Sequence, residues 1–207
     1  PVRAPAHPLS ALDVAGRYLA LGFHHIIPAG TDHALFIFGL FLLSTRFKDL
    51  LWQVTAFTLA HTCTLTLAAL GLVSAPPALV EPVIAATIAF VALENVILKP
   101  ARAETAAADR PPRLRARTLI AFAFGLVHGL GFATALSEVG LPAGQLAAAL
   151  AAFSVGVECG HLAILLAAFA VLGWCRGKRW YRPAVAVPLS LAIAAISLWW
   201  FVERVWG

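Results

Sequence analysis

Apolar residues fill the runs 32–45, 50–72, 77–98, 117–137, 145–175 and 183–203, and short polar breaks separate them. The breaks are Arg46-Phe47-Lys48-Asp49, the Pro76-Pro77 turn, the polar run 99–117, the Gly140-Leu141-Pro142 turn and the stretch from Arg176 to Pro183. Apolar runs of this kind predict membrane-spanning helices, and the pattern as a whole predicts an all-α polytopic membrane bundle of about six transmembrane helices. Ahead of them, Leu9, Leu12, Ala15, Leu19 and Phe23 fall on one helical stripe, with Ser10, Asp13 and Arg17 opposite. Residues 9–22 are therefore expected to form an N-terminal amphipathic helix lying at, or dipping into, the interface. The expected organisation is an external tail over 1–8 and a single transmembrane domain over 9–207.

The first run is short. At 1.5 Å per residue it reaches only about 20 Å, against a hydrocarbon core of ~30 Å. Either the preceding segment enters the membrane or the bilayer deforms. Both options place Asp32 and His33 below the outer surface.

Composition agrees with lipid as the solvent: the 207 residues are 61% hydrophobic and 12% charged, with a mean hydropathy of +0.87. The formal charge of +5 raises nucleic acid as a partner, but the basic residues lie in short loops and form no basic face with interleaved aromatics. No nucleic-acid partner is expected. Cys63, Cys159 and Cys175 are odd in number and sit in apolar runs, so they read as buried thiols, with Cys159 a weak ligand candidate. The chain contains no Met, so a processed product is expected, and removal of a signal peptide would leave the N-terminus outside the cytoplasm.

Orientation follows from the loops. Lys and Arg number two in 46–49, none in 73–76, six in 99–117, none in 138–144 and four in 176–182. Twelve of the 15 basic residues thus fall on one face, which is expected to be cytoplasmic, with both termini external. The predicted location is a bacterial inner membrane.

Candidate chemistry lies in the polar residues that interrupt these runs. An ionisable group at membrane depth costs roughly 2.5–3.5 kcal/mol on insertion scales, so it is normally paired or functional. The stretch His24-His25-Ile26-Ile27-Pro28-Ala29-Gly30-Thr31-Asp32-His33 holds three histidines and an aspartate around two helix breakers. Imidazole and carboxylate together are the ligand pair that divalent first-row metals accept. The competing reading is a helix start capped by Thr31 or Asp32. His61 and His128 lie near the middle of their spans. Glu158 and His161 are three apart on one helix, the Glu-x-x-His arrangement used in bundle metal sites. At matching depth, His33, His61, His128 and His161, with Asp32 or Glu158, are expected to share a metal-binding region, reached past His24 and His25. Thr55, Thr58, Thr62 and Thr66 flank His61 as a polar stripe, which either lines an ion path or bonds neighbouring helices. Glu94, near the cytoplasmic end of the third span, reads as a translocation group, and Glu81 as a helix-terminal charge or an external access group.

Long motifs add a family resemblance. Gly22-Phe23-His24-His25 through Phe36, Leu51-Trp52-Gln53-Val54-Thr55-Ala56-Phe57-Thr58-Leu59-Ala60-His61-Thr62, Val80-Glu81-Pro82, Glu94-Asn95, Phe124-Gly125-Leu126-Val127-His128-Gly129 and Gly156-Val157-Glu158 resemble the HupE/UreJ family of hydrogenase and urease accessory membrane proteins. The resemblance implies a nickel permease with an external N-terminus, in which His25, Asp32, His33, Glu94 and Glu158 carry metal. It also implies nickel-enzyme maturation proteins as partners. The sequence departs from the family pattern at His24 and at His161.

Two function classes follow. The leading one is membrane transport of a divalent transition metal, nickel first and cobalt or zinc next. With no Gly-x-x-x-x-Gly-Lys-Ser/Thr loop in the chain, no nucleotide cofactor is expected and energy comes from a gradient or a separate energising subunit. The alternative is an intramembrane metal-dependent hydrolase, with zinc held by histidines and Glu94 or Glu158 as general base. It lacks a His-Glu-x-x-His motif.

Overall fold

The computed structural model describes residues 10–44, 46–98, 106–131 and 144–207. The predicted tail 1–8, Leu9, the Gly140-Leu141-Pro142 turn and the end of the fourth run lie outside them. Among the described residues every regular element is a helix and none is a strand. The helices are α1 (Ala11–Ile26), α2 (Thr31–Leu43), α3 (Phe47–Ala69), α4 (Pro77–Ile97), α5 (Ala106–Gly131), α6 (Leu146–Leu172) and α7 (Val187–Trp206). A 3-10 turn over Gly173–Cys175 follows α6, and a π turn over Arg182–Ala186 precedes α7. The predicted loop 99–117 is corrected in part, because α5 already begins at Ala106.

Pro77–Ile97, Leu146–Cys175 and Arg182–Trp206 are each long and apolar enough to cross a bilayer. The short first run is completed by the segment before it: α1 and α2 pass the same test together, as a pair bent by 68°. Helices α3 and α5, at 23 and 26 residues, are long enough to cross but carry more polar side chains. Those polar side chains include His61 and His128, both buried inside the bundle.

The amphipathic helix exists and runs four residues past its predicted end, but its faces are used differently from the expectation. Ser10 and Asp13 form a capping box that starts it. The buried face is Val14, Tyr18, Gly22 and Ile26, whereas Leu12, Leu19 and Phe23 of the apolar stripe are exposed. In lipid no hydrophobic force drives the most apolar face inward, and small residues that permit close approach take the helix contact instead. A Cβ at Gly22 would collide with the Phe153 carbonyl of α6, and one at Gly156 with the Leu19 carbonyl of α1. Helix α1 therefore lies along α6 rather than on the interface alone. The same rule joins α3 to α5, where a Cβ at Gly129 would strike the His61 carbonyl and the Thr64 hydroxyl. A core of Phe36, Ile37, Phe41, Leu50, Phe57, Ile88 and Leu165 fills the centre.

Two basic side chains close helix ends. The Arg176 guanidinium donates to the Phe41 carbonyl at 2.8 Å, and Arg182 donates to the carbonyls of Asn95, Val96 and Leu98 at 3.2, 3.1 and 2.9 Å. They satisfy carbonyls that the last turns of α2 and α4 leave without helical partners. All three cysteines are free thiols, as the odd count implied, but Cys63 and Cys159 are exposed and only Cys175 is buried. The reading of all three as buried thiols is thus corrected for two of them: apolar surroundings in sequence here mean a lipid-facing surface.

Candidate metal centre

The bend between α1 and α2 builds the first half of the centre. His25 lies in the last turn of α1 and His33 in the first turn of α2, and Gly30 lets the chain pass against the backbone of His25 and Ile26, where a Cβ would meet His25 O at 2.5 Å. The two imidazoles end with centroids 4.9 Å apart. Gly30 is the N-cap residue of α2. The expected cap at Thr31 or Asp32 is not used; instead Asp32 Oδ1 accepts from the His33 backbone N–H at 2.8 Å.

Helices α3, α5 and α6 supply the rest. The His33 ring lies 5.3 Å from His61, 5.1 Å from His128 and 5.3 Å from His161, centroid to centroid. Two sets of three potential ligand atoms each fall within 4.8 Å of one another: His25, His33 and His61, and Asp32, His33 and His128. His33 belongs to both. Phe57 packs on the His33, His128 and His161 rings at 5.6, 5.0 and 5.5 Å, and Phe36 on His128 at 5.5 Å. His33, His61, His128 and His161 are buried, whereas His25 and Asp32 are half-buried and His24 is exposed.

One hydrogen bond fixes which nitrogen of His128 can bind, and a second chain of bonds, which runs in either direction, links His33 to His161 and Thr58. Thr87 Oγ1 donates its only proton to the Ile84 carbonyl at 2.7 Å, so it can only accept from His128 Nε2, 3.0 Å away. His128 then carries its proton on Nε2 and presents a bare lone pair on Nδ1, a buried atom with no hydrogen-bond partner among the described residues. His33 Nδ1 and His161 Nε2 are 3.2 Å apart, and His161 Nδ1 is 3.0 Å from Thr58 Oγ1. With the proton on His33 Nδ1, His161 passes its own to Thr58 and His33 Nε2 is left as a ligand. Orientation of a metal-binding imidazole by its other nitrogen is the usual outer-shell device. Both His61 nitrogens are buried and unpartnered among the described residues. A buried polar atom with no partner is costly, and an absent ion is one of its accepted explanations.

Glu158 and Glu94 stand outside both sets of three. Glu158 Oε1 accepts from Thr55 Oγ1 at 2.7 Å, and Thr62 donates to Ser154 at 2.8 Å. Thr55, Thr58 and Thr62 of the predicted stripe therefore bond α3 to α6, leaving His61 to face the other imidazoles. Glu94 pairs with Arg117 at 3.3 Å. Glu81 is half exposed and lies 3.9 Å from Arg204. Cys159 is exposed and so lies apart from the buried histidines.

Thr87 is the member that sequence reasoning missed. A single threonine in an apolar run carries no signal of its own; only its depth, matching that of His128, could have drawn attention to it. Thr87→Val should remove the acceptor for His128 Nε2–H and free the tautomer. Outer-shell losses of this kind lower metal affinity about 10–100-fold, and titration of the purified variant with nickel checks it. Unchanged affinity with intact folding would show that Thr87 does not orient a ligand.

A family model described as HupE / UreJ protein matches residues 4–204. No curated protein and no solved structure matches the chain.

Proposed function

The chain belongs to the HupE/UreJ family, and on that premise we propose that it carries a divalent transition-metal ion, nickel first and cobalt or zinc next, across the membrane. The observation that carries this reading is the meeting of imidazoles from α1, α2, α3, α5 and α6, the last four buried, with both nitrogens of His61 unpartnered among the described residues. Groups so placed favour a borderline cation over a hard one, because imidazole is a nitrogen donor.

Metal–nitrogen bonds of about 2.1 Å in a tetrahedral site set donors about 3.4 Å apart. The atoms of each set lie within 4.8 Å of one another, close enough for small ring rotations to bring them onto one ion. In this proposal His25, His33 and His61 receive the ion past the exposed His24, and Asp32, His33 and His128 take it onward. His33 stays bound in both, which spares the ion a fully unliganded step. His161 and Glu158 support from α6, Glu81 lies at the external end of α4, and Glu94 acts in translocation at the opposite end. The hydrolase alternative needs a carboxylate base beside the metal, and neither candidate belongs to the two sets of ligand atoms: Glu158 accepts from Thr55 and Glu94 pairs with Arg117.

Metal uptake into sealed liposomes, read together with metal analysis of the same protein, tests the proposal. Uptake above that of protein-free vesicles is expected. Bound metal with no uptake would contradict transport. In the same assay Glu94→Gln should keep its bound metal and lose uptake; a parallel fall in stoichiometry would move Glu94 into the primary site.

The proposed setting is a bacterial inner membrane crossed about six times within a single domain, with both termini outside and maturation proteins or an energising subunit as partners. A cysteine placed at the exposed Arg179, on a Cys-free background, should then resist an impermeant thiol reagent in intact cells. Ready labelling there would invert the orientation.

A further inference from the structure

The end of the bundle where α2 and α4 terminate holds a cavity of about 280 Å³ that the metal centre does not use. Its walls include Arg176, Lys178 and Arg182, with Leu42, Asn95 and Tyr181, and among the described residues no acidic side chain lines it. Among the described residues no carboxylate pairs with any of the three cations. Arg176 and Arg182 cap the C-termini of α2 and α4, but each helix end carries only about −0.5 charge. Three full cations against two such ends leave a surplus of roughly two positive charges in the cavity.

The surroundings are those of a membrane interface. Trp174 and Trp180 sit beside the loop with centroids 5.9 Å apart, and both are exposed, by 69% and 44%, as interfacial tryptophans are. The Arg176 guanidinium is held 4.2 Å above the Phe41 ring and 4.8 Å from that of Phe169, so its charge is fixed in place. Lys178 is exposed, and its side chain makes no hydrogen bond or ion pair among the described residues, so it is free to close over an anion. Basic pockets between membrane helices suit phosphate headgroups. The volume falls just under the roughly 300–1,000 Å³ of drug-sized ligand sites, which suits a headgroup whose acyl chains stay outside along Leu43 and the lipid-facing helices.

We propose that this cavity binds the phosphate of an anionic phospholipid, held by Arg176, Lys178 and Arg182 at the interface. The phosphodiester oxygens accept from Lys178 and the arginines, while Leu42 and Leu43 adjoin the glycerol. A free phosphate offers the same oxygens without the chains, so the two sources are distinguishable.

The test uses the full chain in detergent, titrated with phosphatidylglycerol, phosphatidylcholine or inorganic phosphate, with binding counted by native mass spectrometry. Phosphatidylglycerol should bind in preference to phosphatidylcholine, and Lys178→Gln should weaken it about fivefold, the effect of one interfacial cation. Arg204→Gln, at the other end of the bundle, should leave it unchanged. Arg182→Lys, which keeps the charge, should retain more lipid than Arg182→Gln. Equal binding of the two lipids, or equal losses in Lys178→Gln and Arg204→Gln, would overturn the site. Displacement of the lipid by inorganic phosphate at matched concentration would overturn the lipid as its occupant.

Discussion

Replacing His33 with alanine should reduce metal affinity by more than about 100-fold, beyond the range seen when only an outer-shell partner is lost. His33 is the one side chain common to both sets of ligand atoms. It also holds His161 at 3.2 Å, so its removal frees a second imidazole to turn. His33 is buried with Phe57 against its ring, and truncation leaves a cavity that neighbouring aromatic rings cannot fill. Loss of one set alone, by His128→Ala, should cost less because His25, His33 and His61 remain. Calorimetric titration with nickel ranks the three proteins, with His7→Ala in the predicted tail as reference. Equal affinities for His33→Ala and His7→Ala would remove His33 from the site.

The second large effect is expected at a residue that binds nothing. Gly129→Ala puts a methyl group into the His61 carbonyl and the Thr64 hydroxyl, and the backbone of α3 cannot move aside as a flexible side chain would. Overpacking of this sort costs about 1–3 kcal/mol, occasionally more. Separation of α3 from α5 also pulls His61 from His128, so stability and metal affinity should fall together. Gly16→Ala is the matched control: nothing lies within 4 Å of the added Cβ, and the usual gain of about 0.8–1.0 kcal/mol for alanine over glycine in a helix applies. Thermal unfolding in detergent should lower the midpoint for Gly129→Ala and hold or raise it for Gly16→Ala. A Gly129→Ala protein that melts with the wild type would refute the close packing of α3 on α5.

Most helices were legible because lipid imposes a simple rule on chain composition. The runs predicted at 50–72, 77–98 and 145–175 differ from α3, α4 and α6 by only a few residues at either end. The start of α5 was hidden because its first turns are polar, and hydropathy reports membrane burial rather than helicity. The direction of α1 was hidden for a related reason: an apolar stripe marks the core face of a soluble helix, whereas here it faces outward and Gly22 marks the contact.

The candidate site was legible by type and depth, not by partnership. Histidines at a shared depth could be picked out from spacing, and the structure sets His25, His33, His61, His128 and His161 side by side. Spacing could not say that Glu158 would face Thr55 rather than the imidazoles, because its direction depends on how α6 is rotated against α3. Nor could it reveal Thr87, whose role rests on a single proton given to Ile84 O. The capping by Arg176 and Arg182 was equally invisible, since those residues read as loop charges that set orientation.

If imidazoles from separate helices hold one transition-metal ion, nickel-edge X-ray absorption on the full chain loaded with stoichiometric nickel should see them. The expected spectrum has a first shell of nitrogen and oxygen with the outer-shell scattering of several imidazoles, diminished in His61→Ala. A first shell containing sulfur, or one with no imidazole scattering, would contradict it.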